Sequence, residues 1–464
     1  MSSEWPLVRI EDIAANQPSA MATGPFGSSI SAKFFQESGI PVIRGSNLSA
    51  DVQIKIDDSG LVFVSEDKAK EFPRCIVSNG DLVFTCWGTI NQVGLIDDTA
   101  TYQKYLISNK QMKLTVDRTK ADPRFVYYVF SGPTKQSEII ENGIGSSVPG
   151  FNLGQLRKQS FRLPPLEEQA AIADLLDIFS NRIALLRETN ATLEAIAQAL
   201  FKSWFVDFDP VHARARGEEP AGLAPEVAAL FPDSFEESEL GMVPNGWKLV
   251  PFGELLSHTI GGDWGDEAQN DKNDTQVAII RGTDMPDLQS GMTGRVPVRY
   301  TSQKKLASRK LQDGDLVLEV SGGSKEQPTG RSLYMTNGLL EQFDCPVEPA
   351  SFCRLLRPAS HDVGVLLSQH MTYIYADGKT WQYQNQSTGI ANFQTTHFLE
   401  TELVAVPTDD VLKSFAEIVR SMIDRSHLTQ IAQLATLRDT LLPRLISGQQ
   451  RLPEAEAMVR EVQE

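Results

Sequence analysis

A long heptad repeat near the middle of the chain is the feature that most constrains its fold. From residue 172 to residue 205, apolar side chains recur every seven residues at two interleaved positions. Because this spacing keeps one stripe turned toward a partner helix, it predicts a coiled-coil helix of about 40 residues, roughly 60 Å long. The predicted seam consists of Ile172, Leu176, Phe179, Ile183, Leu186, Asn190, Leu193 and Leu200.

Two helix starts are marked by proline followed by acidic residues. In "LPPLEEQ", Pro164 and Pro165 fit the first helical positions, and the two glutamates favour the positive end of the helix dipole. In "AVPTDDV", Thr408 is a candidate N-cap before two aspartates. We therefore expect a second long amphipathic helix over residues 408–448 that packs against the first. On the seam, Asn190 is either a buried amide that fixes register or an exposed residue on an imperfect stripe.

The segment that precedes each helix is repeated. "WPLVRIEDI" corresponds to "WKLVPFGEL", "VIRGSNL" to "IIRGTDM", and "NGDLVF" to "DGDLVL". Short Val, Ile, Leu and Phe runs bounded by Gly, Asp and Asn predict strands, and Asp81 and its twin Asp315 are expected to start matching strands at a turn. The fold class expected is α/β (α+β), with two tandem mixed domains. The predicted ranges are 1–164 for the first domain, 165–208 for the central helix, 209–246 for a connector, 247–407 for the second domain, 408–448 for the C-terminal helix and 449–464 for a tail.

The formal net charge of −17 is unevenly distributed along the chain. Residues 1–164 carry 17 acidic and 17 basic side chains, whereas residues 165–246 carry 15 acidic and 5 basic side chains, a net charge of −10. A neutral domain can still present a basic face to DNA, but the acidic segment is better suited to contact with a protein partner.

Motifs for other classes of protein are missing from the sequence. The four cysteines form no CxxC pair, so we expect reduced thiols and neither a disulfide nor a metal site. The start "MSSEWPLVRIEDIA" has no signal-peptide pattern, and no run of about 20 apolar residues predicts a membrane span. We expect no membrane association and a cytoplasmic protein.

With these features in place, the sequence resembles the specificity subunits of Type I restriction-modification systems. The stretches that carry the resemblance are "RLPPLEEQAAIADLLDIFSNRIALLRETNATLEAIAQALFKSWFVDFDP", "SELGMVPNGWKLVPFGEL" and the paired "RG" and "GDLV" marks. The resemblance implies two target recognition domains in a pseudo-twofold repeat, separated by two long antiparallel coiled-coil helices. Each domain would read one half of a bipartite target in double-stranded DNA.

The same resemblance implies partners that carry the chemistry. Two methyltransferase (modification) subunits would dock on the helices, which set the spacer, and restriction or translocase subunits would complete the complex. No cofactor is expected in this chain; S-adenosylmethionine, ATP and Mg would belong to the partners, since the sequence has no phosphate loop of the GxxxxGK[ST] type. The alternative is a self-sufficient sequence-specific nuclease or methyltransferase with a cryptic active site. We expect no catalytic residues.

Candidate DNA contacts are polar and cationic side chains in segments bounded by glycine, and the best of these segments, residues 378–389, is expected to be a readout loop. Arg or Lys reads guanine, Asn or Gln reads adenine, and Ser or Thr suits either. An alternative for each segment is an ordinary polar surface loop, and the repeated arginines have an alternative structural role. The candidates are Arg44, Trp87, Asn91, Gln92, Ser146, Ser147, Arg281, Lys325, Gln327, Arg331, Lys379, Gln382, Gln384, Asn385, Gln386, Ser387 and Thr388.

Overall fold

The computed structural model describes residues 5–145, 149–238, 241–293, 295–323, 327–387, 390–428 and 430–463. It divides into two compact units, residues 1–184 with 434–464, and residues 185–433. Both divisions fall within helical segments. The boundaries of the units therefore differ from the predicted boundaries of the domains and helices, and those predicted boundaries stay predictions. No helix in the described part of the chain has the length and apolarity that a membrane span requires.

The first unit contains a mixed α/β domain followed by the start of a long helix. Its strands are β1 (Leu7–Arg9), β2 (Met21–Thr23), β3 (Ile40–Ile43), β4 (Val62–Val64), β5 (Ile76–Ser78), β6 (Asp81–Thr85), β7 (Val93–Leu95), β8 (Lys104–Ile107), β9 (Gln111–Thr115) and β10 (Ser160–Arg162). Its helices are α1 (Glu66–Lys70), α2 (Pro123–Ser131), α3 (Pro133–Glu141), α4 (Leu153–Lys158) and the first half of α5 (Leu166–Phe201).

The second unit begins within α5, which continues as one π-helical turn over Lys202–Val206. The connector then forms α6 (Asp209–Ala215), α7 (Pro225–Ala228), β11 (Phe235–Ser238) and β12 (Gly241–Pro244). The strands of the second domain are β13 (Lys248–Pro251), β14 (Leu256–Gly261), β15 (Thr275–Ile280), β16 (Val298–Thr301), β17 (Leu316–Glu319), β18 (Ser321–Gly322), β19 (Ser332–Tyr334), β20 (Val347–Pro349), β21 (Cys353–Pro358), β22 (Gln384–Ser387), β23 (Ile390–Phe393) and β24 (Leu403–Val406). Its helices are α8 (Met285–Gln289), α9 (Gln303–Arg309), α10 (Asn337–Leu340), α11 (His361–Ala376) and α12 (Thr395–Thr401).

The C-terminal part of the chain is helical on both sides of the division between the units. The second unit ends in α13 (Asp409–Ser426) and the start of α14 (Gln430–Ile446), and α15 (Leu452–Gln463) follows in the first unit. The segment predicted as a tail therefore contains a helix. Ala455 of α15 is buried in the core of the first unit.

The two domains share one sheet topology, which confirms the internal repeat. The order β2-β9-β6-β7 in the first domain matches β14-β21-β17-β19 in the second. In each domain another sheet contains a parallel strand pair, β3 with β8 or β15 with β20. The first and last strands also pair, β1 with β10 and β13 with β24.

The twin aspartates at the central strands act as predicted. One carboxylate oxygen of Asp81 accepts the N–H of Ser78 at 2.9 Å, and Asp315 accepts the N–H of Gln312 at 2.7 Å. Both side chains are buried, and each closes the turn that leads into its strand. The second carboxylate oxygen has a different partner in each domain, Thr115 for Asp81 and Arg357 for Asp315.

The long helix α5 contributes its apolar stripe to both units. In the first unit, Ile172, Leu176 and Phe179 belong to a core that also contains Leu441 and Leu445 of α14. Of the predicted seam, Ile172, Leu176, Phe179, Ile183 and Leu186 are buried, and Asn190, Leu193 and Leu200 are half-buried.

In the second unit the end of α5 packs on the start of the C-terminal helices. Trp204 and Phe205 are buried against Phe415 of α13, with ring centroids 5.6 and 4.7 Å apart. Ala197 and Phe201 join the same core. The beginning of α5 thus packs on α14 and its end on α13, as expected for helices that run in opposite directions.

The predicted single helix over residues 408–448 is broken after Ser426. His427 turns its side chain into the second domain, where Nδ1 lies 3.0 Å from the Thr336 hydroxyl, and its carbonyl accepts Nε2 of Gln342 at 3.2 Å. Asn190 donates from Nδ2 to the carbonyl of Ser426 at 3.0 Å, so it satisfies a carbonyl freed at the helix end. The polar residues that interrupt the stripe here mark the break.

One buried carboxylate in the second domain has no partner among the described residues. Glu348 of β20 is fully buried, and neither of its carboxylate oxygens accepts a hydrogen bond. It faces Ile279 across a parallel pair, the position that Leu106 occupies opposite Val42 in the first domain. Burial raises the pKa of Glu348 to about 7. The negative charge of Asp263 adds to this increase, and the positive charges of Arg309 and Lys305 oppose it.

Replacing Glu348 with leucine should raise the free energy of unfolding of the second domain at pH 8 by about 1–3 kcal/mol. Because the pKa in the folded state lies above the unfolded value, the wild-type protein should lose stability as pH rises from about 4.5 through 7. The variant should lose this dependence. Thermal melts from pH 5 to pH 8 measure both effects. Glu341→Leu, at an exposed glutamate of the same domain, is the control, and an equal pH dependence in Glu348→Leu and wild type would contradict the prediction.

Candidate nucleic-acid interface

A polar cleft of roughly 450 Å³ opens at one edge of the first domain. It is formed where β3 and β6 end and where the chain turns between β8 and β9. The residues that line it are Ile30, Phe35, Val42, Arg44, Gly45, Ser46, Thr85, Trp87, Gly88, Thr89, Gln92, Ser108, Asn109 and Lys110. These residues include two cations and no carboxylate, although the whole chain carries a net charge of −17.

Three of the predicted DNA-contact residues, Arg44, Trp87 and Gln92, meet in this cleft. Arg44 follows β3 and donates from Nη2 to the carbonyl of Gly60 at 2.7 Å, and its Nε is buried without a partner among the described residues. Its backbone N–H is accepted by the Asn47 side chain at 3.0 Å. Arg44 therefore has structural contacts and also borders the cleft.

Trp87 is the exposed aromatic side chain of the cleft, with 55% of its surface accessible. Its ring lies against Gly150, where a Cβ atom would come within 2.9 Å of the indole. The next residue, Gly88, donates its N–H to the carbonyl of Pro149 at 3.0 Å. Glycine at position 150 thus lets the 149–150 segment pack closely under the indole. Asn91 is half-buried beside this segment of the chain.

The matching edge of the second domain carries arginines held by buried carboxylates. Arg281, the twin of Arg44, donates from Nε and Nη2 to Asp284 at 2.9 and 2.6 Å. Arg331 donates from Nε and Nη2 to Glu319 at 3.0 and 2.8 Å. Hydrogen bonding to these carboxylates raises the pKa of both guanidinium groups, so both stay charged. The cations at this edge are fixed by buried carboxylates, whereas the cleft of the first domain has two cations and no carboxylate.

The segment predicted as a readout loop, residues 378–389, is mostly regular structure. Lys379–Tyr383 form one 3-10 turn, and β22 pairs antiparallel with β23. Strand β23 also pairs with β18, which follows the central strand β17. The loop prediction was wrong because β23 supplies hydrogen-bond partners that the polar composition of β22 does not reveal.

Several predicted contact residues on this hairpin and in the segment before β19 have partners within the domain. Gln327 donates to the Tyr375 hydroxyl at 3.2 Å, Gln384 accepts the N–H of Thr329 at 3.1 Å, and Asn385 accepts Nε2 of Gln394 at 2.7 Å. Gln382 is exposed. The predicted residues Ser146, Ser147, Lys325 and Thr388 lie outside the described residues, as do the side chains of Gln386 and Ser387.

A buried carboxylate anchors the base of the hairpin. Glu402 accepts hydrogen bonds from His370 and Lys379 at 2.8 Å and from the Tyr383 hydroxyl at 2.6 Å. Burial tends to raise its pKa, but these three donors outweigh burial and lower the pKa of Glu402 to about 2. Lys379, which the sequence predicts to contact DNA, has Glu402 as a partner that the sequence did not predict.

Glu319 and Glu402 were both missed for one reason. Each is an acid, whereas the side chains expected to contact DNA are hydrogen-bond donors and cations. The signal for Glu319 lay in the repeat, because the strand that ends in Thr85 in "GDLVFT" ends in Glu319 in "GDLVLE". An acid at the end of a buried strand requires a partner, and an arginine on the next strand is the expected one.

The structure places no set of three or more His, Cys, Asp or Glu side chains suited to a metal ion within its described residues. The four cysteines are free. In "FDPV", Phe208 has a positive φ of 52° before α6, and Pro210 and Val211 are buried in the core. This segment starts a helix, and its buried residues are packed against the second unit's apolar core.

Comparison with known proteins agrees with this architecture. Residues 3–195 match the family model for the Type I restriction modification DNA specificity domain. The Type I restriction enzyme MjaIX specificity subunit of Methanocaldococcus jannaschii is 23% identical over 457 residues, which cover 97% of this chain and 94% of that protein. Residues 3–195 therefore belong to the family of Type I restriction-modification DNA specificity domains, and the similarity to a specificity subunit extends over nearly the whole chain.

Two further comparisons extend over most of the specificity subunit. The Type I restriction enzyme HindI specificity subunit of Haemophilus influenzae is 23% identical over 397 residues, covering 74% of this chain and 81% of that protein. The crystal structure of the Type I S subunit from M. genitalium aligns with a TM-score of 0.54 at 15% identity, covering 95% of this chain and 96% of that chain. The structural likeness supports the shared fold.

Replacing Glu402 with glutamine should destabilise the second domain of this specificity subunit by more than about 1 kcal/mol at pH 7. Since the pKa of Glu402 is lowered in the folded state, its contribution is present above pH 4.5 and is lost as pH falls toward 2. The difference between variant and wild type should therefore shrink over this range. Thermal melts between pH 2.5 and pH 7 test this, with the exposed Glu400→Gln as control. A difference that stays constant with pH would contradict the role assigned to the carboxylate.

Proposed function

We propose that each of the two domains reads one half of a bipartite target in double-stranded DNA. The observation that carries this proposal is the cleft of the first domain, which is free of carboxylates in a strongly acidic chain. Phosphates and base edges are bound by cations, amides and hydroxyls, and the cleft is lined by these groups beside an exposed indole. The second domain offers Arg281 and Arg331 at the matching edge.

The long helices are proposed to hold the two readers apart and to set the length of the spacer. The packing of the two ends of α5 on α14 and α13 supports this role, because each end is buried in the core of a different unit. We further propose that two methyltransferase subunits dock on these helices and that restriction or translocase subunits join the full complex. S-adenosylmethionine, ATP and Mg would be bound by those partners.

The acidic connector fits contact with a protein partner better than contact with DNA. Residues 209–246 carry 8 acidic and 2 basic side chains, a net charge of −6, and a surface of this sign repels phosphate. We place the complex in the cytoplasm, where its DNA and subunits would meet. The names of the relatives favour this proposal over a self-sufficient nuclease or methyltransferase.

The proposal predicts that the two domains read independently. Exchange of residues 247–407 for the equivalent domain of another specificity subunit should change one half of the methylated motif and leave the other half as it was. The measurement is genome-wide methylation in cells that express the chimaera with the methyltransferase subunits. The chain alone, without those subunits, is the control and should not methylate DNA. A change in both halves would contradict independent reading.

The proposal also predicts that helix length sets the spacer. Insertion of four residues after Asn190 in α5 and of four residues after Ile423 in α13, close to the contact between Asn190 and Ser426, lengthens both helices by roughly 6 Å. At 3.4 Å per base pair, the unspecified spacer of the methylated motif should grow by one or two base pairs, with both half-sites unchanged. Insertion of seven residues at each point, which restores the heptad phase, is the matched comparison. An active variant with the original spacer would exclude the helices as the ruler.

A further inference from the structure

The shared topology identifies one pair of equivalent residues that differ in chemistry between the two domains. In the first domain, Phe84 faces Val93 across the β6–β7 pair, and in the second Leu318 faces Ser332 across β17–β19. The residue that precedes Val93, Gln92, therefore corresponds to the residue that precedes Ser332, Arg331. Their backbones make the same contact, because Gln92 O accepts the N–H of Thr85 at 3.0 Å and Arg331 O accepts the N–H of Glu319 at 2.8 Å.

In the second domain the arginine is held rigidly. Both donors on one side of the Arg331 guanidinium bind the two oxygens of Glu319, whose side chain is only 3% exposed. The Arg331 side chain itself is 19% exposed, and its Nη1 has no hydrogen bond to another described residue. The pairing with Glu319 leaves the outer edge of the guanidinium available to a ligand. This edge consists of Nη1 and the second N–H of Nη2.

Two glycines make room for the glutamate. A Cβ atom on Gly282 would lie 2.3 Å from Oε1 of Glu319, and one on Gly322 would lie 2.5 Å from the same oxygen. Any larger residue at either position would displace the carboxylate that fixes Arg331.

In the first domain the equivalent amide is unpaired. The hydroxyl of Thr85 is hydrogen-bonded to the backbone of Gln92. It donates to the Gln92 carbonyl at 3.2 Å and accepts the Gln92 N–H at 3.1 Å. The side-chain amide of Gln92 has no hydrogen bond to another described residue, and it lines the cleft. It is therefore available to a ligand in the cleft.

The two side chains recognise different bases. The outer edge of arginine matches the N7 and O6 acceptors of guanine in the major groove, whereas the glutamine amide matches the N7 acceptor and N6 donor of adenine. We propose that Gln92 reads an adenine in the half-site of the first domain and that Arg331 reads a guanine in the half-site of the second. Glu319 is a positioning residue for Arg331. This inference rests on the proposed function and adds the bases that distinguish the two sites.

The first domain has space for the charged pair of the second. A Cβ on Gly88 would meet nothing within 4 Å, and a Cβ on Gly45 would meet only Nε2 of Gln111 at 4.0 Å. That nitrogen is buried and has no partner among the described residues. A glutamate at position 85 could accept a hydrogen bond from it, so the exchange of the pair between domains is structurally feasible.

The test exchanges the two pairs in the full chain, expressed in cells with the methyltransferase subunits. Thr85→Glu with Gln92→Arg should change one adenine of the first half-site to guanine in the methylated motif and leave the second half-site unchanged. Glu319→Thr with Arg331→Gln should make the reverse change in the second half-site. At the altered position, preference for the new base over the old one should be at least about ten-fold.

A milder variant covers the case in which an exchange fails to fold. Glu319→Gln keeps Arg331 and removes the charge that fixes it, so the preference for guanine at one position should weaken several-fold while the other positions keep theirs. Competition binding of the purified complex to duplexes that vary at each position measures this, and a thermal melt establishes that the variant is folded. A structural ion pair alone would lower the melting temperature without changing base preference at one position.

The outcomes separate this inference from the proposed function. An unchanged motif in active exchange variants, together with unchanged base preference in folded Glu319→Gln, would overturn the inference and leave bipartite reading intact. A wild-type motif with no two separated halves would overturn the proposed function itself. A wild-type bipartite motif that contains no guanine in either half would overturn the assignment of Arg331 alone.

Discussion

The burial of one apolar stripe on α5 in two separate cores is the interaction on which the rest of this protein depends. In proteins most of the stability of a helix comes from tertiary packing of its apolar face rather than from helix propensity. Leu176 and Phe179 are buried beside Leu441 and Leu445 in the first unit, and Trp204 and Phe205 are buried beside Phe415 in the second. Each domain is thereby joined to the helices by a continuous apolar core, which a flexible tether would not provide.

Much of this architecture could be predicted from sequence because it depends on periodicity and repetition. The heptad spacing that begins at Ile172 and the proline and acidic residues before it describe α5 within a few residues of its start at Leu166. The repeat of "GDLV" identified Asp81 and Asp315 as equivalent residues, and their hydrogen bonds to the turn are the same. Local patterns of this kind need no knowledge of distant partners.

The parts that could not be predicted depend on contacts between residues far apart in sequence. The break after Ser426 requires Thr336 and Gln342, which are more than 80 residues away from His427. Strand β22 forms because β23 is itself paired with β18. The candidate site shows the same limit: Arg331 was recognisable as a donor, but its rigidity comes from Glu319 on the neighbouring strand.

The pairing of the first and last strands within each domain has a consequence for how such chains diversify. Because β1 lies beside β10 and β13 beside β24, each domain begins and finishes at one place on its surface. A domain with this arrangement is a cassette, since a different sequence can be inserted between the same two junctions without rerouting the chain. Two such cassettes can be exchanged one at a time, so the number of combinations grows as the product of the variants of each, while the helices between them stay the same.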